Sequence, residues 1–169
     1  AMALPKRTVP KTKKRVLFIK MDGVGDYVIW TASFGLLEKR FPSDEFERVL
    51  ISNERNRDLN ESEPTFERTI FVDANNFVSS PAYRLSKLRE IRGLDADIVL
   101  NPRTTRDFLW GDSIARITGA PVRIGSKGLN NLMSPLQSWI SARWYTELRP
   151  APAEGSHELV SSVEFLGGD

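Results

Sequence analysis

Lys20-Met-Asp-Gly-Val-Gly-Asp-Tyr-Val-Ile-Trp30 is a glycine-bearing turn set between two different hydrophobic patterns. Before it, Val16-Leu-Phe-Ile19 is a short, unbroken apolar run, which reads as a strand buried on both faces. After it, Trp30, Phe34, Leu37 and Phe41 recur at steps of four, three and four, the stripe of a helix that Pro42 ends. A strand, a glycine turn and a helix open a parallel α/β sheet.

The pattern repeats outward from there. Arg48-Val-Leu-Ile-Ser52, Thr69-Ile-Phe-Val-Asp73, Asp97-Ile-Val-Leu100 and Val122-Arg-Ile-Gly125 read as four more strands. Helices are expected from Ala82 to Ile91, with Leu85, Leu88 and Ile91 on the buried side, and from Arg106 to Thr118, with Trp110, Ile114 and Ile117 as its stripe. Gly93 and Gly119 stand just past those two helix ends. Ser134 to Trp144 is expected to be helical, and so is a stretch capped by Ser156 and carrying Leu159, Val163 and Leu166. Arg149-Pro-Ala-Pro-Ala-Glu-Gly155 reads as a linker. Strands alternating with amphipathic helices predict a Rossmann-like three-layer α/β/α sandwich with a mostly parallel sheet. Ligands then bind at the carboxyl ends of the strands, in loops 20–26, 52–57, 73–80, 101–106 and 125–133.

The 169 residues suffice for one domain with a real core, and 40% hydrophobic with 27% charged residues is a globular composition. No apolar run approaches the ~20 residues of a membrane span, and the basic N-terminus lacks the apolar segment of a secretory signal. With no cysteine and one histidine, His157, thiolate zinc sites, cysteine nucleophiles and multi-histidine metal sites are excluded within the chain. A cytoplasmic location is expected. Lys6, Arg7, Lys11, Lys13, Lys14 and Arg15 make a basic leader, either a solvated tail or a contact to an anionic leaflet. Nucleic acid is not expected, because no aromatic residues interleave with these cations and no nucleic-acid motif is present.

The turn admits several chemistries. Gly23 and Gly25 match the first two glycines of a dinucleotide fingerprint, but Val28 occupies the third position. Asp26 lies where a pyrophosphate would meet the helix end, and a carboxylate there repels phosphate. Glu54 is the acid available for a ribose. A phosphate-binding P-loop fails, since no Gly-Lys-Ser/Thr follows. Asp26 also fits a helix N-cap, and Asp22 an ordinary turn residue.

Taken together, Arg15 to Ala32 followed by Leu36-Leu-Glu-Lys-Arg-Phe-Pro42 resembles the start of glycosyltransferase family 9, the ADP-heptose:lipopolysaccharide heptosyltransferases and their relatives. Asp95-Ala-Asp-Ile-Val-Leu-Asn101 and Ile117-Thr-Gly-Ala-Pro-Val-Arg-Ile-Gly125 resemble that family's fourth strand and its Gly-Ala-x-x-Arg-Ile-Gly segment. His157-Glu-Leu-Val resembles its connection between domains. Ala32 stands where the family usually has proline, and Asn101-Pro-Arg-Thr-Thr-Arg106 replaces a Gln-Gly-type turn. The second departure lies in the expected acceptor loop, and points to an acceptor other than the standard inner core.

The resemblance implies the N-terminal half of a two-domain GT-B enzyme. Residues 1–14 would be a leader, 15–148 the acceptor-binding domain and 149–169 an interdomain linker and helix. The C-terminal domain that binds the nucleotide-sugar, ADP-heptose or a similar donor, would be absent, and the half alone inactive and prone to self-association. Asp26 would be the general base of an inverting transfer to a glycan or glycolipid acceptor, with its charge kept by the helix N-terminus. Lys20, Asp22, Gly23, Gly25, Arg55, Arg103 and Arg106 would shape the acceptor site, the arginines gripping phosphates or carboxylates and Arg57 sharing that role with Arg55. Lys20 would neutralise Asp26 or hold the acceptor. Trp139, Trp144 and Tyr145 would pack between domains or form an apolar wall for a lipid-linked sugar. No metal or cofactor is implied, and a peripheral contact with the inner membrane is. A dinucleotide-binding module and a non-catalytic glycolipid-binding domain are the alternatives.

Overall fold

A computed structural model of the chain describes residues 12–61, 63–128, 133–150 and 158–167. Six parallel strands form one sheet in the order β3-β2-β1-β4-β5-β6. They are β1 Lys14–Lys20, β2 Phe46–Asn53, β3 Arg68–Val72, β4 Ile98–Asn101, β5 Val122–Ser126 and β6 Glu147–Arg149. In register, Phe18 of β1 lies beside Leu50 of β2 and Leu100 of β4. Side chains alternate across the pleat, so the unbroken apolar runs feed two cores. Leu17, Ile19, Val49, Ile51 and Val99 face one side, while Val16, Phe18, Leu50, Leu100 and Ile124 face the other.

Helices cover both sides. Helices α1 (Val24–Thr31) and α2 (Phe34–Arg40) bring Tyr27, Trp30, Phe34 and Leu37 onto the second core. Trp30 stacks on Phe66 with centroids 5.8 Å apart and meets the Phe34 ring edge-on at 4.9 Å. Helix α8 (Glu158–Leu166) adds Phe165 and Leu166 to this same core, so the last element packs on the sheet. Arg149 and Arg40 donate to the carbonyls of Phe165 and Leu166, satisfying the end of α8. Helices α4 (Ala74–Ser79), α5 (Pro81–Arg92) and α6 (Ser113–Thr118) cover the first core with Phe77, Ile91 and Ile114. Helix α3 (Arg57–Glu61) and α7 (Pro135–Ala142) lie on connections that follow β2 and β5.

Four sequence expectations need correction. The helix expected through Phe41 is two helices, because the Ser33 hydroxyl takes the Trp30 carbonyl at 2.7 Å and α2 restarts from Ser33. The apolar stripe survives the break, and all four of its residues are buried. Leu85 is 48% exposed, since two steps of three residues carry it about 120° round the helix from Ile91. The expected loop 73–80 contains α4, whose Asp73 carboxylate accepts from the Asn76 N–H at 2.9 Å. The helix expected from Arg106 starts later. Asp107 caps it by accepting from the N–H groups of Trp110 and Gly111, and a π-helical turn, Phe108–Asp112, precedes α6. Gly119 ends α6 at φ 65°, the left-handed conformation that favours glycine. Ser156, most of the expected linker and His157 lie outside the described residues.

Candidate functional site

The strand order reverses between β1 and β4, since β2 and β3 extend to one side of β1 and β5 and β6 lie beyond β4. A crevice opens at such a point, outside the carboxyl ends of the strands. Two loops border it, Met21 to Gly23 after β1 and Pro102 to Arg106 after β4. They are joined by charge. Arg103 Nε lies 2.7 Å from Asp22 Oδ1, and Arg103 Nη1 lies 2.6 Å from Asp107 Oδ2.

Both carboxylates that hold Arg103 are themselves held. Asp22 is nearly buried, and its Oδ2 lies 2.9 Å from Lys20 Nζ. Asp107 Oδ1 accepts from Trp110 N at 2.6 Å and Gly111 N at 3.1 Å. Burial pushes the Asp107 carboxyl above the usual aspartate range, opposed chiefly by the Arg103 charge. Arg103 retains partial exposure at the mouth, and its Nη2 has no hydrogen-bond partner among the described residues. A guanidinium gripped on two edges presents a third one without further loss of side-chain entropy.

Asp26 is the third residue of α1, exposed at the same mouth. The N-cap is Gly23, which makes no side-chain bond, so the N-cap role open to Asp26 is not the one it occupies. No hydrogen bond or ion pair reaches its carboxylate among the described residues. It lies in the first helical turn, where the positive helix end favours a negative charge. A Cβ placed on Gly23 or Gly25 meets no atom within 4 Å. The glycines therefore answer no internal steric need, and they leave the floor of the mouth open.

A set of asparagines braces this turn from beneath. Asn53 donates to the Met21 carbonyl at 3.4 Å, and Asn56 to the Asp22 carbonyl at 3.2 Å. The Tyr27 hydroxyl donates to Asn60 Oδ1 at 2.7 Å, and Asn60 donates to the Asn56 carbonyl at 2.8 Å. Burial, then the Glu63 charge, pushes the Tyr27 hydroxyl upward, with the Asn60 bond opposing. Sequence reading missed these residues and Asp107. The spacing of Asn53, Asn56 and Asn60 is the signal that was available, since steps of three and four residues put amides on one side of a helical stretch that starts after Asn53.

The other expected site residues fall elsewhere. Lys20 is fully buried beneath the turn, 5.9 Å from the Trp30 ring centroid, so it supports Asp22 and does not reach a ligand. Arg106 is 2% exposed and holds Asp112 and Ser141 at 2.9 and 2.6 Å, so it is committed inside the fold. Burial beside these partners removes it from any acceptor. Arg55 is exposed beside a polar recess of about 140 Å³ that Asn53, Glu54, Asp73 and Asn75 also line. Arg57 pairs with Glu54 at 2.5 Å and lies over the Phe71 ring. That pairing also engages the acid considered for a ribose. Tyr145 is buried in the core, Trp144 meets Phe108 at 4.8 Å, and Trp139 is exposed. Val28 is half exposed, because α1 meets the sheet through Tyr27 and Trp30. The position of a third fingerprint glycine is thus not at a helix–strand contact here, and Val28 itself is no obstacle to a dinucleotide.

No protein-family model matches the chain, and no curated protein matches it. Solved structures do. The glycosyl transferase family 9 structure from Veillonella parvula DSM 2008 superposes at a TM-score of 0.73 and 18% identity, over 99% of this chain and 42% of that one. Heptosyltransferase WaaC from E. coli, solved with ADP, gives 0.63 and 16%, over 90% and 46%. ADP-heptose LPS heptosyltransferase II from E. coli gives 0.61 and 15%, over 88% and 40%. The chain spans less than half the length of each. The likeness read from the motifs thus extends to three dimensions: this chain has the Rossmann-like fold found in the glycosyltransferase family 9 and heptosyltransferase structures, over nearly all of its length.

Proposed function

We propose that this chain is the acceptor-binding half of an inverting glycosyltransferase of heptosyltransferase type, with Asp26 as general base. The observation that carries the reading is the exposed carboxylate of Asp26 at the point where the strand order reverses, beside the braced Asp22–Arg103 pair. The hydroxyl of a glycan or glycolipid acceptor gives its proton to Asp26 as its oxygen attacks the anomeric carbon. The nucleoside diphosphate leaves from the opposite face, which inverts the configuration. The open floor over Gly23 and Gly25 admits the acceptor, and the free edge of Arg103 takes a carboxylate or phosphate on it. The donor, ADP-heptose or another nucleotide-sugar, is held by a second domain that these residues do not contain. The acceptor domain runs through β6 and includes α8, which packs on the same core. The half alone does not turn over.

Support for transfer over a dinucleotide site comes from charge. A carboxylate stands at the end of α1 where a pyrophosphate would need N–H groups, and Glu54 is engaged by Arg57. Titration of the chain with ADP-heptose, ADP and NAD separates the readings. None is expected to bind, whereas an acidic core saccharide is expected to shift the amide resonances of Gly23, Gly25 and Asp26. Micromolar NAD binding would sink the proposal, and tight ADP-heptose binding would mean that the donor site lies in this half.

A further inference from the structure

Four charged groups meet beneath the mouth. Lys20 Nζ lies 2.9 Å from Asp22 Oδ2, Arg103 Nε 2.7 Å from Asp22 Oδ1, and Arg103 Nη1 2.6 Å from Asp107 Oδ2. Two cations against two carboxylates leave the set neutral. An oxyanion on the remaining edge of Arg103 adds a third negative charge beside a guanidinium whose own charge is already matched. Water screens that charge poorly, since Lys20, Asp22 and Asp107 are all buried. One proton on a carboxylate restores neutrality.

The two carboxylates differ as places for that proton. Asp22 faces two cations. Asp107 faces one, and it also feels the Asp112 charge from the far end of the π-helical turn. The elements packed round Asp107 bring no further cation to it. Helices α4 and α7 carry no charged residue. Arg84 of α5 is turned to the Leu109 carbonyl and the Ser113 hydroxyl, Arg106 is committed to Asp112, and Arg116 of α6 lies toward Arg123. Within the Asp107 carboxyl, Oδ1 already accepts from the N–H groups of Trp110 and Gly111, so the proton goes to Oδ2, which holds Arg103 Nη1. The charge of that contact is then lost, while the cap on the π-helical turn stays. Burial, which already pushes this carboxyl upward, works in the same direction.

We infer that Arg103 takes up an oxyanion together with one proton from solvent, which joins Asp107 Oδ2. The inference rests on the reading of Arg103 as the contact to an acidic group of the acceptor. Arg103 keeps all its own protons, so the step adds one negative and one positive charge to the set. Binding therefore tightens as pH falls from neutrality toward the ordinary aspartate range.

Sulfate is the probe, because its own charge is constant over this range. The chain carries His157→Gln throughout, which removes its one histidine from the titration. Followed by amide resonances, sulfate affinity is expected to rise about tenfold between about pH 7 and about pH 4.5. Asp107→Asn keeps an oxygen for the two N–H groups and has no charge to lose. It is expected to bind at neutral pH as tightly as its parent does at the lower pH, with a flat profile. Asp26→Asn leaves Asp107 in place and retains the rise. A flat parent profile overturns the inference, as does a rise that survives Asp107→Asn or vanishes in Asp26→Asn. Absence of sulfate binding at both pH values overturns it too. Should Asp107→Asn fail to fold, the carboxyl carbon resonance of Asp107 decides in the parent chain. Its titration midpoint must climb when sulfate is added, and an unmoved midpoint overturns the inference. Such a failure leaves Asp26 as the base, whereas near-wild-type turnover by Asp26→Asn would sink the transfer reading and leave this pH profile standing.

Discussion

Arg103 and Arg106 stand three residues apart in one loop, yet the fold puts them to opposite uses. Arg103 keeps 20% of its side chain exposed and is clamped by Asp22 and Asp107 with one edge free. Arg106 is 2% exposed and closes a buried network. Its guanidinium holds Asp112 and Ser141, Tyr145 donates to Asp112 at 2.6 Å, and Asn101 donates to Tyr145 at 2.7 Å. The first region is built to leave groups over, the second to use up its charged groups. That difference separates an open mouth from a structural post, and residue type alone does not reveal it.

The largest expected effect lies at the mouth. Asp26→Asn, in a protein that joins this half to a donor-binding domain, should lower transfer by about 10²–10⁴-fold while the thermal midpoint holds. Near-wild-type turnover would remove Asp26 as base. At the post the effect is on stability instead. Arg106→Ala leaves Asp112 buried without its counter-charge and should cost about 3–5 kcal/mol in denaturant unfolding. A loss under about 1 kcal/mol would mean that the network relaxes around the gap.

Glycines sharpen the same contrast. A Cβ on Gly125 comes 2.7 Å from Tyr145 Cε1, against a ring pinned by two hydrogen bonds, so Gly125→Ala should cost about 1–3 kcal/mol. Proton linkage is subtler. Burial, then the Asp112 charge and the hydrogen bond to it, hold the Tyr145 hydroxyl well above its usual range, with Asn101 and Arg106 opposing. The folded chain thus keeps a proton that the unfolded chain releases near pH 10, so this stability is intact below about pH 10 and falls as pH rises further. Unfolding midpoints at about pH 8 and about pH 11 should diverge more for the wild type than for Tyr145→Phe. The smallest effect belongs to Gly25→Ala. With open space around it, this change should leave stability equal or raise it by about 0.5–1 kcal/mol, and reveal itself only as weaker acceptor binding.

Much of this was legible in order of sequence. Strands β1 to β4 follow from unbroken apolar runs, because a strand buried on both faces has no polar alternation to hide, and β5 from the shorter Val122-Arg-Ile-Gly125 pattern. The Gly-Asp turn followed by an amphipathic helix placed Asp26 in a first helical turn. Strand β6 was not legible, since its three residues carry no periodicity and its partners come from β5. Nor was the start of the π-helical turn, where an aspartate cap competes with helix continuation.

Sequence alone determined the layer architecture, the parallel sheet and the presence of a carboxylate at the first strand–helix turn. These depend on local periodicity and on chain order, which the residues carry themselves. Only the tertiary structure decided which charges are spent and which are left over. Lys20 and Arg106 read as ligand-binding cations, but burial forces each to find its partner within the chain, as Asp22 and Asp112 show. Arg103 keeps an edge and Asp26 its carboxylate at the surface because the sheet reverses beside them and no element among the described residues covers that edge.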